Sequence, residues 1–141
     1  MRFWTPGEAM TSHWEKEPGQ PVSDADLLVD RTLRARLAEL LPEAAWLSEE
    51  SVETPGRASA TYAWVVDPID GTRDFVRGRP GWSVSVALVE DGKVVIGVLI
   101  APARGETWWA TRGGGAWRNG ERLTVGCHAT LSQARVPADH L

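Results

Sequence analysis

A chain of 141 residues fits one domain and can bury a real core without staples. Its 43% hydrophobic and 24% charged residues are the balance of a soluble globular protein, and a net charge of −4 with scattered basic residues argues against a nucleic acid polymer as partner. The single cysteine, Cys127, excludes an internal disulfide or a Cys-based metal site, and no stretch approaches a membrane span or a signal peptide. A cytoplasmic location is therefore expected.

In chain order, residues 1–21 carry Pro6, Gly7, Pro18, Gly19 and Pro21 and read as loop or short irregular structure. A helix follows, with Ser23 as N-cap, Asp24 and Asp26 in the first turn where the dipole favours negative charge, and Leu27, Val29, Leu33, Leu37, Leu40 and Leu41 on a rough helical period. Pro42 ends it. Ala45-Trp46-Leu47 reads as a short strand that runs into Ser48-Glu49-Glu50-Ser51, and residues 52–60 as a polar loop. Tyr62 to Val66 is an apolar strand expected to stop at Asp67-Pro68. A helical turn and a Gly/Pro-rich loop are expected over residues 74–80.

Two long strands come next, Trp82 to Glu90 and Lys93 to Ile100, joined by the hairpin signal Asp91-Gly92. Thr107 to Thr111 is a further strand. The Gly113-Gly114-Gly115 turn leads through Ala116-Trp117-Arg118 to a second hairpin signal at Asn119-Gly120, and Leu123 to Gly126 is a last short strand. The eight tryptophans are spread along the chain and read as core and edge packing. The order, a helix and then mostly antiparallel strands, predicts an α+β fold with a helix packed on a mostly antiparallel sheet. Both ends read as cut, with 1–21 and 127–141 ragged.

The chemistry concentrates at Asp67-Pro68-Ile69-Asp70-Gly71-Thr72, where two aspartates sit three apart after an apolar strand. Pro68 fixes its own φ and removes a donor, which predicts a turn there, and Gly71 permits backbone angles that other residues resist. Such a turn aims both carboxylates at one point and leaves the Gly71 and Thr72 amides suited to a phosphate. Glu49 also ends a strand; if the two strands are neighbours, Glu49, Asp67 and Asp70 converge. Two like charges about 5 Å apart repel by roughly 3 kcal/mol at an effective dielectric near 20, so a cation or protons must offset three of them. Oxygen ligands without Cys or His suit a hard ion such as Mg²⁺.

Blander readings stand beside this one. An Asp-x-x-Asp pair on a turn is commonly solvated and idle. Ser23-x-x-Asp26 resembles a capping box, in which Asp26 only satisfies the helix start. The glycines at 113–115 lack the Lys-Ser/Thr of a P-loop and punctuate a hairpin. His13, His128 and His140 have no ligand spacing and read as surface residues.

Four segments in order resemble the inositol monophosphatase superfamily: Pro21-Val22-Ser23-Asp24-Ala25-Asp26, Ser48-Glu49-Glu50-Ser51, Asp67 to Thr72, and Gly113 to Gly120. The resemblance runs from about residue 14 to 126. It implies the first half of a layered sugar-phosphatase fold, an N-terminal metal-binding domain over 1–141 whose C-terminal domain is absent. It also implies a Mg²⁺-dependent phosphomonoesterase, sensitive to lithium, that uses two metals to activate water. Glu49, Asp67 and the Ile69 carbonyl would hold one Mg²⁺, with Asp67 and Asp70 sharing in a second. The Gly71 and Thr72 amides would hold phosphate. Thr72, supported by Asp26 and Glu49, would orient the attacking water. Lys16 aligns loosely with a basic residue of the substrate loop.

The family's second domain carries a Trp-Asp motif that completes the second metal site, and no residue of this chain supplies it, so weak or absent turnover by the chain alone is expected. Leu47-Ser48-Glu49-Glu50, Trp82 to Leu88 and Ala101-Pro102 resemble the bacterial 3′(2′),5′-bisphosphate nucleotidase branch. Inositol 1-phosphate and histidinol phosphate are the alternative substrates, and a truncated non-catalytic module of the same fold is the alternative to an enzyme. Homodimers are common in the family.

Overall fold

The computed structural model describes residues 3–10, 13–17, 20–52, 54–126 and 130, with the backbone alone at 16, 17, 20 and 21. Its elements are β1 His13–Glu17, β2 Gln20–Ser23, α1 Asp24–Leu40, β3 Ala45–Ser48, β4 Tyr62–Asp70, α2 Thr72–Val76, β5 Ser83–Glu90, β6 Lys93–Ala101, β7 Glu106–Thr111, β8 Gly115–Arg118 and β9 Glu121–Leu123. Strands β3 to β9 form a seven-stranded sheet in sequence order; β1 and β2 form a separate two-stranded one. Only the β3–β4 pair is parallel within the large sheet, so the α+β, mostly antiparallel expectation holds.

Local chemistry explains most of these elements. The Asp91-Gly92 and Asn119-Gly120 turns have positive φ at both residues (46° and 74°, 48° and 84°), as two-residue hairpin turns require. Helix α1 packs on one face of the sheet: Trp46, Trp64 and Val66 are buried against its Leu33, Leu37 and Leu41, with Val86 and Leu88 of β5 extending the cluster. Side chains alternate along a strand, so Asp67, next to Val66, leaves that face. A second cluster buries Ala25, Ile69 and Phe75, with Phe3, Trp4, Met10 and Trp82 packed against it. The Phe75 and Trp82 rings meet edge to face at 4.9 Å.

Three expectations need correction. Residues 13–17 and 20–23 are two antiparallel strands rather than loop; Pro21 is tolerated because the pair has only two strands, both edges. Strand β4 does not stop at Asp67-Pro68 but continues to Asp70, and the turn falls at Gly71. The pairing with β5 shifts register between Asp67 and Asp70, and at such an irregularity a proline with no N–H is accommodated without losing a ladder bond. The last strand ends at Leu123 rather than Gly126. Cys127, His128 and His140 lie outside the described residues; His13 is exposed, as expected.

Candidate metal and phosphate site

The parallel pairing of β3 and β4 brings the acids together. Ser48, the last residue of β3, is the partner of Val66, so Glu49 leaves the sheet near Asp67, the next residue along β4, and its charge acts on the Asp67 carboxyl. Asp70 closes β4 three residues later, and Gly71, at φ 85°, turns the chain into α2. A β-carbon at Gly71 would drive into the Gly81 carbonyl oxygen, and its φ lies where L side chains are strained, so both space and conformation demand glycine here.

The electrostatics carry the mark of this convergence. The Asp67 carboxyl is pushed up from 3.8 to about 6, first by burial and then by the negative charges of Glu49, Asp70 and Asp26, with a hydrogen bond from the Ile69 amide partly opposing them. Glu49 and Asp70 are themselves exposed, and Asp67 is partly buried. Among the described residues no three Asp, Glu, His or Cys side chains form a ready-made metal cage. The all-oxygen donor set and mutual repulsion of Glu49, Asp67 and Asp70 fit a hard divalent cation.

Asp26 joins this group from α1. It is 1% exposed. Its Oδ2 accepts from the Ser23 amide at 2.9 Å and the Ser23 hydroxyl at 2.7 Å, and its Oδ1 lies 3.2 Å from the Thr72 hydroxyl. One carboxylate thus caps a helix and reaches the turn after β4. The Thr72 Oγ1 also lies 2.8 Å from the Ile69 carbonyl oxygen. Lys16 belongs to β1, and its side chain is outside the described part.

The turn that carries Glu49 has supports that sequence reasoning missed. Trp46 and Thr54 are joined by two bonds, Trp46 amide to Thr54 Oγ1 at 3.0 Å and Thr54 amide to Trp46 carbonyl at 3.1 Å. The Trp46 indole donates to Ser51 Oγ at 2.9 Å, and Ser51 Oγ lies 3.4 Å from Oδ1 of Asp30. The Glu50 amide donates to Ser48 Oγ at 3.3 Å. The available signal was an acid, Asp30, one helical turn after Asp26.

The inositol monophosphatase family pattern matches residues 6–140. The chain belongs to this family. It is 42% identical over 121 residues to the inositol-1-monophosphatase of Rhizobium meliloti, covering 86% of this chain and 45% of that protein. It is 38% identical over 117 residues to the 3′(2′),5′-bisphosphate nucleotidase CysQ of Aggregatibacter actinomycetemcomitans, covering 80% of this chain and 44% of that one. Among solved structures, the SuhB extragenic suppressor protein of Bartonella henselae superposes with a TM-score of 0.77 at 37% identity, over 83% of this chain and 45% of that one. As an inositol monophosphatase family member, the chain thus spans about half the length of the curated relatives it matches.

Proposed function

We propose that this chain carries the metal- and phosphate-binding part of a Mg²⁺-dependent phosphomonoesterase acting on a small phosphorylated metabolite. The observation that carries the reading is the parallel pairing of β3 with β4, from which Glu49 emerges near Asp67, together with the upward push on the Asp67 carboxyl. Family membership supports the hydrolase class.

Glu49, Asp67, Asp70 and the Ile69 carbonyl are the groups that would hold the metal. The bound ion would supply a more acidic water and offset the charge on the leaving oxygen. The chain's own residues do the rest. Thr72 Oγ1 has one proton to give, toward Asp26 or the Ile69 carbonyl, and this leaves lone pairs free to accept a hydrogen bond from the attacking water. Asp26, fixed by Ser23, sets the direction of that hydroxyl and so orients the water. Glu49 supports Thr72 in this role. The Gly71 and Thr72 amides at the start of α2 grip the phosphate.

Identity does not separate the substrates, since relatives named for an inositol phosphate and for a bisphosphate nucleotide stand at 42% and 38%. The nucleotide reading rests on Leu47 to Glu50, Trp82 to Leu88 and Ala101-Pro102. The test is Mg²⁺ titration of the chain with and without orthophosphate. A phosphate-release panel on the protein completed with the family's C-terminal domain then compares adenosine 3′,5′-bisphosphate, inositol 1-phosphate and histidinol phosphate, with Li⁺ as inhibitor. Mg²⁺ binding that is lost in Glu49→Gln and Asp70→Asn supports the proposal. Metal affinity of the chain indifferent to both, or no release from any of the three substrates by the protein completed with the family's C-terminal domain, refutes it.

A further inference from the structure

Helix α1 contains two buried acids, Asp26 at 1% and Asp30 at 3% exposure. Only the first is accounted for by the chemistry above. A carboxylate so buried is costly unless it is hydrogen-bonded. The partner of Asp30 is Ser51, in the turn after β3, just as the partner of Asp26 is Thr72, in the turn after β4.

We propose that Asp30 is a positioning residue that fixes the Glu49 turn relative to the Thr72 turn. Asp26 and Asp30 are four residues apart, so they lie on one face of α1 with a rise of about 6 Å between them. Strands β3 and β4 are neighbours, about 4.8 Å apart. One face of α1 thus reaches both turns, Asp26 the one after β4 and Asp30 the one after β3.

The link through Ser51 is polarised in one direction. The Trp46 indole can only donate, Ser51 Oγ accepts it at 2.9 Å and donates its own proton onward, and the Asp30 carboxylate can only accept. At 3.4 Å the Ser51–Asp30 contact is long for a hydroxyl–carboxylate bond, and the short indole bond is what aims the Ser51 hydroxyl at Asp30. Glu49 lies two residues before Ser51 and one after the end of β3. Anchoring Ser51 therefore narrows the positions that the Glu49 carboxylate can reach. The functional consequence rests on Glu49 being a metal ligand; the tether itself does not.

The experiment compares the full 141-residue chain with Asp30→Ala, Asp30→Asn, Ser51→Ala and the Asp30→Ala/Ser51→Ala double variant. Amide exchange at residues 49–51 and the Trp46 indole proton resonance report the tether; Mg²⁺ titration reports the site. Asp30→Ala and Ser51→Ala are expected to speed exchange at 49–51 about tenfold, shift the indole resonance and weaken Mg²⁺ several-fold. The double variant is expected to be no worse than either single one, and Asp30→Asn, which keeps an accepting oxygen, to stay near wild type. Should Asp30→Ala fail to fold, Ser51→Ala decides by the same readings.

Unchanged exchange and indole resonance in a folded Ser51→Ala or Asp30→Ala protein overturns the tether, as does failure of Asp30→Asn to restore it. A chain that binds no Mg²⁺ while its variants loosen residues 49–51 overturns the metal reading of Glu49 and upholds the tether. Mg²⁺ affinity that falls in Glu49→Gln but not in a loosened Asp30→Ala overturns the functional consequence.

Discussion

Replacing Asp67 by asparagine should make the metal-free protein more stable, although it removes a central carboxylate of the site. Raising this carboxyl from 3.8 to about 6 corresponds to roughly 3 kcal/mol, at 1.36 kcal/mol per pH unit. Because Asp67 is only partly buried, solvent screening reduces the expected gain to about 1–2 kcal/mol. The sign follows from the direction of the shift. A carboxyl that binds its proton more tightly folded than unfolded stabilises the native state most below about pH 4, and that contribution is lost as the pH climbs through 6. Asparagine has no such loss and keeps an oxygen for the Ile69 amide.

Urea unfolding in EDTA should therefore show Asp67→Asn ahead of wild type at pH 7.5 and level with it at pH 4. Added Mg²⁺ should reverse the order, since a ligand at 100 times its Kd adds about 2.7 kcal/mol to a protein that binds it and nothing to one that does not. A variant no more stable than wild type at pH 7.5, or a gain that persists at pH 4, would refute the argument from charge.

Further outcomes follow from other contacts. Thr72→Val removes the hydroxyl facing Asp26 and leaves a buried acceptor without it; urea unfolding should register a loss of about 1–3 kcal/mol, and Mg²⁺-dependent phosphate release by the protein completed with the family's C-terminal domain should drop about 100-fold or more, with Thr72→Ser retaining most of both. Gly71→Ala meets a strained φ and the Gly81 carbonyl together, and its unfolding midpoint should report a loss of about 2 kcal/mol or more. Asn119→Ala loses bonds to the Thr107 amide (2.8 Å) and the Gly105 carbonyl (3.1 Å). It should cost about 1–2 kcal/mol in the same assay while leaving Mg²⁺ affinity unchanged, because those contacts tie the β8–β9 turn to the start of β7.

The fold was legible where its cause is local. Asp91-Gly92 and Asn119-Gly120 announce their turns because few residues accept positive φ, and the alternation in β5 announces a strand with two faces. The pairing of β1 with β2 was hidden because Pro18, Gly19 and Pro21 are also loop residues in a sequence, and a two-stranded ladder with a register shift tolerates Pro21. Pro68 misled in the same way: it marks an irregularity inside β4 rather than the strand's end. In the candidate site, the Asp67 to Thr72 segment and Glu49 stand out by composition and order. The bond between Ser51 and Asp30 joins residues 21 apart in sequence, and no spacing rule reaches across that distance.

Strand β4 divides its labour by parity. Trp64 and Val66 face the helix, while Asp67 turns to the other side and Asp70 and Gly71 follow where the ladder slips. Substitutions at Trp64 and Val66 can therefore accumulate over evolutionary time with little effect on the acids, whereas Trp46 is tied to the Glu49 turn through Ser51, and changes in the terminal turns can retune what is bound without reopening the hydrophobic interior. A scaffold partitioned in this way is free to diversify its ligands while its architecture stays put.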